Sequence, residues 1–188
     1  MRIISGSFKG KKILTPNDDK TRPLKDLTKE SIFNIINHSN KFKINFSNSF
    51  ILDLFSGVGS FGIECLSRGA KKVIFIENYP GVLHLLKKNL SSLKSIQNYE
   101  IIEKDIYKDN VFQNLNLKFD IIFFDPPYKN KNIDNLLHEI KNQKILNKHG
   151  IIILHRHKNE QDPLTSSYEL IEQKVYGISK IIFLSCLD

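Results

Sequence analysis

The sequence of 188 residues has few of the features that mark disulfide-rich, metal-binding or membrane proteins. Its two cysteines, Cys65 and Cys186, fit neither a metal-site spacing nor a disulfide framework, so we expect a reducing compartment such as the cytoplasm. No apolar run approaches the roughly 20 residues of a membrane-spanning helix. The first residues are interrupted too early for a signal peptide, and no internal repeat marks a solenoid. We therefore predict a globular chain without a membrane segment.

Positive charge is concentrated at the beginning of the chain. The net charge is +8, and residues 1–30 contribute +4 of it, from eight basic and four acidic side chains. A basic end beside a nearly neutral remainder indicates a polyanionic partner, which we predict to be nucleic acid, although lysine is abundant throughout. The side chains assigned to this partner on charge are Arg2, Lys9, Lys11 and Lys12.

An alternation of apolar strands and amphipathic helices begins at residue 50. The predicted strands cover 50–55, 72–77, 99–103, 120–125, 150–155, 168–175 and 178–185, and the predicted helices cover 60–68, 80–92, 106–113 and 132–142. Before them we predict a hairpin over 2–14, a helix capped by Asp26 with Leu27 and Ile32 on its apolar side, and a polar linker over 38–49.

Repeated strand–helix–strand units predict an α/β, Rossmann-like fold. We expect a mostly parallel seven-stranded sheet with helices on both faces. The last two strands are joined through Gly177 without room for a crossover helix, so the terminal strand is predicted to be antiparallel. We divide the chain into a basic extension, 1–49, and a Rossmann-like domain, 50–188. Nothing in the sequence indicates an oligomeric state.

The first predicted strand runs directly into a glycine-rich turn. Gly57 and Gly59 would let the backbone turn tightly beside a ligand, and Gly62 would bring the following helix close to the sheet. This spacing alone also fits dinucleotide-binding enzymes. A carboxylate on the strand, Asp53, would repel a pyrophosphate but attract the cationic S-adenosylmethionine. The alternative is that Asp53 only caps the helix.

Acidic side chains end four consecutive strands or follow them closely, namely Asp53, Glu77, Asp105 and Asp125. Ligands of such sheets bind at the carboxyl ends of the strands. Glu77 would accept hydrogen bonds from ribose hydroxyls. Asp105 would accept one from the adenine amino group, with Ile106 donating its backbone amide, unless Asp105 is simply a capping residue. The predicted cofactor-binding residues are Asp53, Phe55, Gly57, Gly59, Glu77, Asn78, Asp105, Ile106 and Asp125.

The strand at 120–125 ends in Asp125-Pro126-Pro127-Tyr128. Two prolines stiffen this loop and remove two amide donors, which leaves it rich in acceptors. The Asp125 carboxylate and the Pro126 carbonyl could hold the two hydrogens of an exocyclic amino group and free its lone pair. Tyr128 could stack on the base. The alternative is an ordinary turn that covers the sheet edge.

Together, the glycine turn, the acidic strand ends and the proline loop resemble class I S-adenosylmethionine-dependent methyltransferases that act on an amino nitrogen. The chain further resembles the bacterial RsmD family. The likeness covers nearly the whole chain and includes the segments 1–14, 21–23, 29–34 and 66–70 and the closing Tyr176-Gly177.

This resemblance implies methyl transfer from S-adenosylmethionine to the N2 of one guanine in 16S rRNA, on an assembling small ribosomal subunit in the cytoplasm. It assigns Asp125, Pro126 and Tyr128 to the target base, and Arg22 and Pro23 to the border of the cofactor or the RNA. No metal is implied, and we interpret His155 and His157 as exposed side chains rather than metal ligands. The sequence departs from the family pattern at Leu24, Lys25, Leu27 and His155.

Two alternative functions are compatible with the same residues. One is methylation of another amino nitrogen, either the N6 of adenine in DNA or a glutamine in a protein. The chain is short for an added DNA-reading domain, which argues against the DNA enzyme. The other is a catalytically silent RNA-binding assembly factor, against which the retention of both Asp53 and Asp125 argues.

Overall fold

The computed structural model describes residues 1–17, 24–127, 132–161 and 167–187. In chain order its strands are β1 (Phe50–Leu54), β2 (Lys72–Ile76), β3 (Tyr99–Ile102), β4 (Phe119–Phe124), β5 (Leu146–His157), β6 (Tyr168–Tyr176) and β7 (Ser179–Cys186). Its helices are α1 (Asp26–His38), α2 (Ser60–Ser67), α3 (Pro80–Ser91) and α4 (Ile133–Asn142), with short 3-10 turns at Phe46–Asn48 and Val111–Asn114.

The seven strands form one sheet in the order β3-β2-β1-β4-β5-β7-β6. All neighbours from β3 to β5 are parallel, whereas β7 runs antiparallel to both β5 and β6. The predicted fold class is confirmed. The chain leaves β1 in one direction for β2 and later returns to its other side with β4, so the strand order switches beside β1, where ligands of such sheets bind.

Both faces of the central strands are buried, because helices cover each side of the sheet. Consecutive residues of β1, Ile51 and Leu52, point to opposite faces and belong to two separate hydrophobic clusters. The first cluster contains the apolar faces of α1, α2 and α3, and the second contains that of α4. This double burial explains why the strands read as continuous apolar runs in the sequence. No helix in the described ranges is long and apolar enough to cross a membrane.

Two predicted elements of the Rossmann-like part differ from the observed ones in extent. The helix predicted over 106–113 is wrong: only Val111–Asn114 is helical, as a 3-10 turn, after Asn110 adopts a left-handed backbone with φ of 47°. β5 is twice as long as predicted, because it begins at Leu146 and continues to His157 along its antiparallel partner β7.

The N-terminal segment folds back on itself as a hairpin and packs on α2. Arg2 pairs with Lys12 in an antiparallel bridge, which agrees with the predicted hairpin. The Glu64 carboxylate on α2 accepts the backbone amides of Ile4, at 2.8 Å, and Ser5, at 2.9 Å. The hairpin residues Ile3 and Ile13 are buried in the same cluster as the sheet. The division of the chain at residue 49 stays a prediction.

Helix α1 and the following segment bury residues that the sequence pattern assigned to solvent. Leu27, predicted on the apolar side, is 70% exposed, whereas Lys29 is fully buried. Lys25 rather than Asp26 occupies the N-cap position. The linker predicted to be polar buries Phe42 and Phe46 against the core. The placement of Leu27 on the apolar side is therefore wrong, and Lys29 is buried with acidic and carbonyl partners that are described below.

Candidate active site

A cleft of about 510 Å³ opens at the carboxyl ends of β1, β2 and β4. All four predicted acidic residues line it, namely Asp53, Glu77, Asp105 and Asp125. Phe55, Gly57, Asn78, Ile106 and Pro126 also line it, while Gly59 lies just behind them as the N-cap of α2. The switch in strand order therefore brings together the side chains that the sequence assigned to a cofactor.

The loop between β1 and α2 depends on backbone conformations that side chains rarely adopt. Phe55, Gly57 and Gly59 have positive φ angles of 57°, 55° and 83°. A Cβ atom at Gly57 would meet nothing within 4 Å, so this backbone faces open space in the cleft. A Cβ atom at Gly62 would lie only 2.3 Å from the ring of Phe75. The helix thus lies directly on β2, as the sequence predicted.

Asp53 is the most buried charged group at the cleft, with 1% of its surface exposed. Its Oδ2 accepts the backbone amide of Gly62 at 2.9 Å. Burial raises the pKa of Asp53 well above its usual value, and the negative charges of Asp125 and Glu77 raise it further, against the effect of the Gly62 bond. A cationic ligand would relieve this repulsion, which gives the cleft a preference for positive charge.

Glu77 organises the cleft through its own carboxylate. Its Oε2 accepts the amide of Gly57 at 2.7 Å, and its Oε1 accepts those of Asn78 and Tyr79 at 2.9 and 2.8 Å. A carboxylate has about four acceptor positions, so three amides leave about one for a ligand hydroxyl. Glu77 therefore fixes the glycine turn, and its role toward a ribose stays a prediction.

Asp105 is a capping residue that also lines the cleft, and its contact with an adenine stays a prediction. Its Oδ1 accepts the amide of Tyr107 at 3.0 Å, and its carbonyl accepts the amides of Lys108 and Asp109, which is the pattern of a capping residue. Asp105 also lines the cleft beside Phe55, whose ring packs 5.8 Å from that of Tyr107. The cap therefore holds the carboxylate at the cleft wall.

Asp125 contacts a histidine that sequence reasoning interpreted wrongly. Its Oδ1 lies 2.8 Å from Nδ1 of His155, whose Nε2 lies 3.0 Å from the Ser179 hydroxyl. His155 is only 6% exposed and His157 is half-buried, so the prediction of two exposed histidines is wrong. The strand register could have indicated the contact, since Phe124 pairs with Leu154 and the next residues are therefore adjacent.

The remaining predicted residues of the target-base site and its border either line the cleft or lie outside the described residues. Pro126 and Pro127 line the cleft next to Asp125, as does Leu24, one of the positions that depart from the family pattern. Tyr128, Arg22 and Pro23 lie outside the described residues.

The predicted RNA-binding side chains lie on the hairpin. Arg2, Lys9 and Lys12 are exposed. Lys11 is half-buried, and its amino group donates to the carbonyl of Ser92 at the end of α3. Lys11 therefore fastens the hairpin to the body of the protein, and three basic side chains remain open to a ligand.

The cleft fits S-adenosylmethionine in size and charge. Its volume is in the usual range for a small-molecule site of about 300–1,000 Å³, and its most buried ionisable group is the Asp53 carboxyl. Among the described residues, no three histidine, cysteine or acidic side chains are arranged to hold a metal ion. The fold and the site together define a class I methyltransferase that uses S-adenosylmethionine.

Comparison with known proteins then identifies the family. A family model described as conserved hypothetical protein 95 matches residues 1–185, and the chain belongs to this family. Ribosomal RNA small subunit methyltransferase D of Haemophilus influenzae is 33% identical over 180 residues, which cover 95% of this chain and 90% of that protein. YlbH of Bacillus subtilis, described as a candidate rRNA methyltransferase, is 32% identical over 96% of both chains.

A solved structure supports the same assignment. The Escherichia coli protein YhhF, described as a candidate methyltransferase, superposes with a TM-score of 0.81 at 26% identity, over 99% of this chain and 97% of that one. These relatives confirm the resemblance to the RsmD family that the sequence indicated.

Proposed function

We propose that this protein transfers a methyl group from S-adenosylmethionine to the exocyclic N2 of a guanine in 16S rRNA. The observation that carries the proposal is the position of the Asp125-Pro126 corner, which lies on the same cleft as Asp53. A rigid pair of acceptors next to a site for a cation is what attack by a weakly nucleophilic amine requires. The names of the relatives support ribosomal RNA as the source of that amine.

Asp125 and Pro126 would act by positioning. The Asp125 carboxylate and the Pro126 carbonyl accept the two hydrogens of the amino group, which orients its lone pair toward the methyl carbon. When bound, S-adenosylmethionine supplies a methyl group activated by a sulfonium. The proton lost by the nitrogen passes to Asp125 or to water. Holding two reactants in line accounts for most of the acceleration, as in other effectively unimolecular reactions.

The hairpin would contact the RNA. Arg2, Lys9 and Lys12 are exposed on one extension, which we propose as the RNA-facing unit, residues 1–49. We propose that Arg22, Pro23 and Tyr128 complete this face. The substrate would be an assembling small ribosomal subunit, which places the protein in the cytoplasm.

Replacement of Asp125 tests the proposal. Asp125→Ala should still bind S-adenosylmethionine in calorimetry, because Asp53 and Glu77 remain at the cleft, but should methylate small ribosomal subunits about 10²- to 10⁴-fold more slowly, as for other groups that move a proton in the transition state. Glu103→Ala, which removes an exposed carboxylate paired with Lys87, serves as the matched control and should retain full activity.

The acceptor is identified by parallel assays. Tritiated methyl transfer is measured to small subunits from cells that lack the protein, to duplex DNA and to release factors, and the modified nucleotide is mapped by mass spectrometry. We expect label only in 16S rRNA, on a guanine. Label in DNA or in a glutamine would replace the proposed substrate, and unchanged turnover of Asp125→Ala would overturn the role of that residue.

A further inference from the structure

His155 contacts Asp125, but the proposed methyl transfer assigns no role to this histidine. We propose that His155 is a positioning residue: it holds Oδ1 of Asp125 so that Oδ2 is directed at the target amine. This inference rests on the proposed function, because Asp125 is the group that would receive the amine. His155 also lines the cleft, but in this role it acts through Asp125 and not by contact with the base or the cofactor.

The fold fixes the histidine ring from two sides. His155 lies on β5, paired with β4 on one edge and with β7 on the other, directly opposite Ile181. Its Nδ1 is 2.8 Å from Oδ1 of Asp125 and its Nε2 is 3.0 Å from Oγ of Ser179. Ser179 is the first residue of β7 and is 7% exposed. A ring held by a strand and a buried hydroxyl has little freedom to rotate.

The chemistry of the partners determines the tautomer. An ionised carboxylate only accepts hydrogen bonds, so Nδ1 of His155 carries the proton and donates it to Asp125. In the neutral ring Nε2 is then the acceptor for the hydroxyl of Ser179. Both ring nitrogens are engaged, and His155 serves to orient the carboxylate. The proton released by the amine goes to Asp125 and from there to water.

Orientation matters because an aspartate carboxylate turns easily. Its terminal torsion has a broad, roughly two-fold preference rather than sharp wells. The backbone at the end of β4 fixes the position of the Asp125 main chain, and the Asp125 amide lies 3.4 Å from the carbonyl of Leu54. The bond from His155 then fixes the plane of the carboxylate. A misplacement of about 1 Å can slow catalysis on the order of 10²-fold, so loss of this bond should reduce turnover.

Two amide replacements separate orientation from packing. In Asn the amide nitrogen is two bonds from Cβ, as is Nδ1 of histidine, whereas in Gln it is three bonds away, as is Nε2. His155→Asn keeps a donor toward Asp125, whereas His155→Gln places its amide at the position of Nε2, toward Ser179, and leaves Asp125 without a donor. We expect His155→Asn to retain kcat within about threefold, and His155→Gln and His155→Ala to lose about 10- to 100-fold.

The readout is the split between kcat and KM, together with the melting temperature. We expect KM for S-adenosylmethionine to stay within about twofold in all three variants, because His155 contacts the carboxylate that holds the amine. The inference would be overturned if kcat of the variants simply followed their melting temperatures. It would also be overturned if His155→Asn and His155→Gln lost kcat equally, or if kcat of His155→Ala were unchanged.

Failure of the proposed function is recognised separately. If the wild type methylates DNA or release factor instead of small subunits, the guanine assignment fails, and the same ranking of variants is measured on the true acceptor. A ranking with Asn above Gln and Ala would then still support the role of His155. If the wild type methylates none of the three acceptors, both the function and the inference are wrong.

Discussion

Asp53 illustrates at the residue scale how binding opposes stability. Its carboxylate is buried, bonded to the Gly62 amide, and repelled by Asp125 and Glu77. Because burial and these charges raise its pKa in the folded protein above the unfolded value, the folded state binds more protons over this range. The free energy of unfolding therefore falls as pH rises from about 4, the ordinary pKa of aspartate, toward the folded value.

We therefore predict opposite effects of Asp53→Asn on stability and on binding. The amide can still accept the Gly62 bond but carries no charge. Without cofactor, the variant should be more stable than the wild type at pH 7 to 8, and the gain should vanish near pH 4, in urea unfolding at each pH. Affinity for S-adenosylmethionine should fall about tenfold or more, the equivalent of about 1.4 kcal/mol.

The exposed Glu169 on β6 provides the control. Glu169→Gln removes the same charge far from the cleft and should change neither stability nor affinity at any of these pH values. A variant of Asp53 that is less stable than the wild type at pH 8 would contradict the account of a repelled carboxylate.

Sequence reasoning succeeded and failed for reasons that particular residues make clear. Asp53, Glu77 and Asp125 could be placed together because strand ends of a parallel sheet share one edge, and the pattern of strands was evident. The strand register could have indicated the contact of His155 with Asp125, but not its contact with Ser179, 24 residues away on an antiparallel strand. The burial of Lys29 could not be predicted, because its partners Arg2 and Glu64 come from two other elements.

At the scale of elements, one buried lysine joins the hairpin to α1 and α2. Nζ of Lys29 donates to the carbonyl of Arg2 at 2.7 Å and lies 3.7 Å from Oε2 of Glu64. It also lies 3.4 Å from the hydroxyl of Ser60, which lines the cleft. Burial lowers the pKa of Lys29, and the charges of Glu64 and Asp26 oppose this effect. Arg68 gives Glu64 a second cation at 3.0 Å.

Removal of this cation should release the hairpin. Lys29→Met leaves the Glu64 charge less compensated and the Arg2 carbonyl without its donor, so we expect a loss of about 3–5 kcal/mol of unfolding free energy. Faster hydrogen exchange of the Ile4 and Ser5 amides should accompany it. The measurement is denaturant unfolding with exchange followed by mass spectrometry.

An exposed ion pair supplies the comparison. Lys41 lies 2.7 Å from Glu172 but is 53% exposed, so Lys41→Met should cost no more than about 1 kcal/mol. Equal losses in the two variants would mean that Lys29 does not hold the hairpin.

For the whole molecule, the distribution of charge matters more than its total. The net charge is +8, and the predicted RNA-binding residues Lys9 and Lys12 are exposed on the hairpin. Lys118 and Lys148 are equally exposed near the amino ends of β4 and β5, at the edge opposite the cleft. Comparing the two pairs of lysines therefore separates the effect of net charge on RNA binding from the effect of where the charge lies.

Neutralising the hairpin pair should weaken binding to ribosomal RNA, and neutralising the distant pair should not. For Lys9→Gln with Lys12→Gln, we expect the slope of log affinity against log salt to become shallower by about 1.4–1.8, since each phosphate contact contributes about 0.7–0.9. Filter binding over a salt series measures this slope. If the double variant Lys118→Gln with Lys148→Gln showed the same reduced slope as the hairpin variant, RNA binding would depend only on the net charge of the protein.

The docking of the hairpin also fixes an order of events while the chain is being made. The amide of Ile4 donates to the carboxylate of Glu64, 60 residues further along the chain, and the amide of Leu14 donates to the Asn89 side chain, 75 residues further along. At about 5–20 residues per second, ribosomes need about 3–15 seconds to add these partners. The hairpin is therefore translated before α2 and α3 and cannot form these native contacts until both helices have left the ribosome.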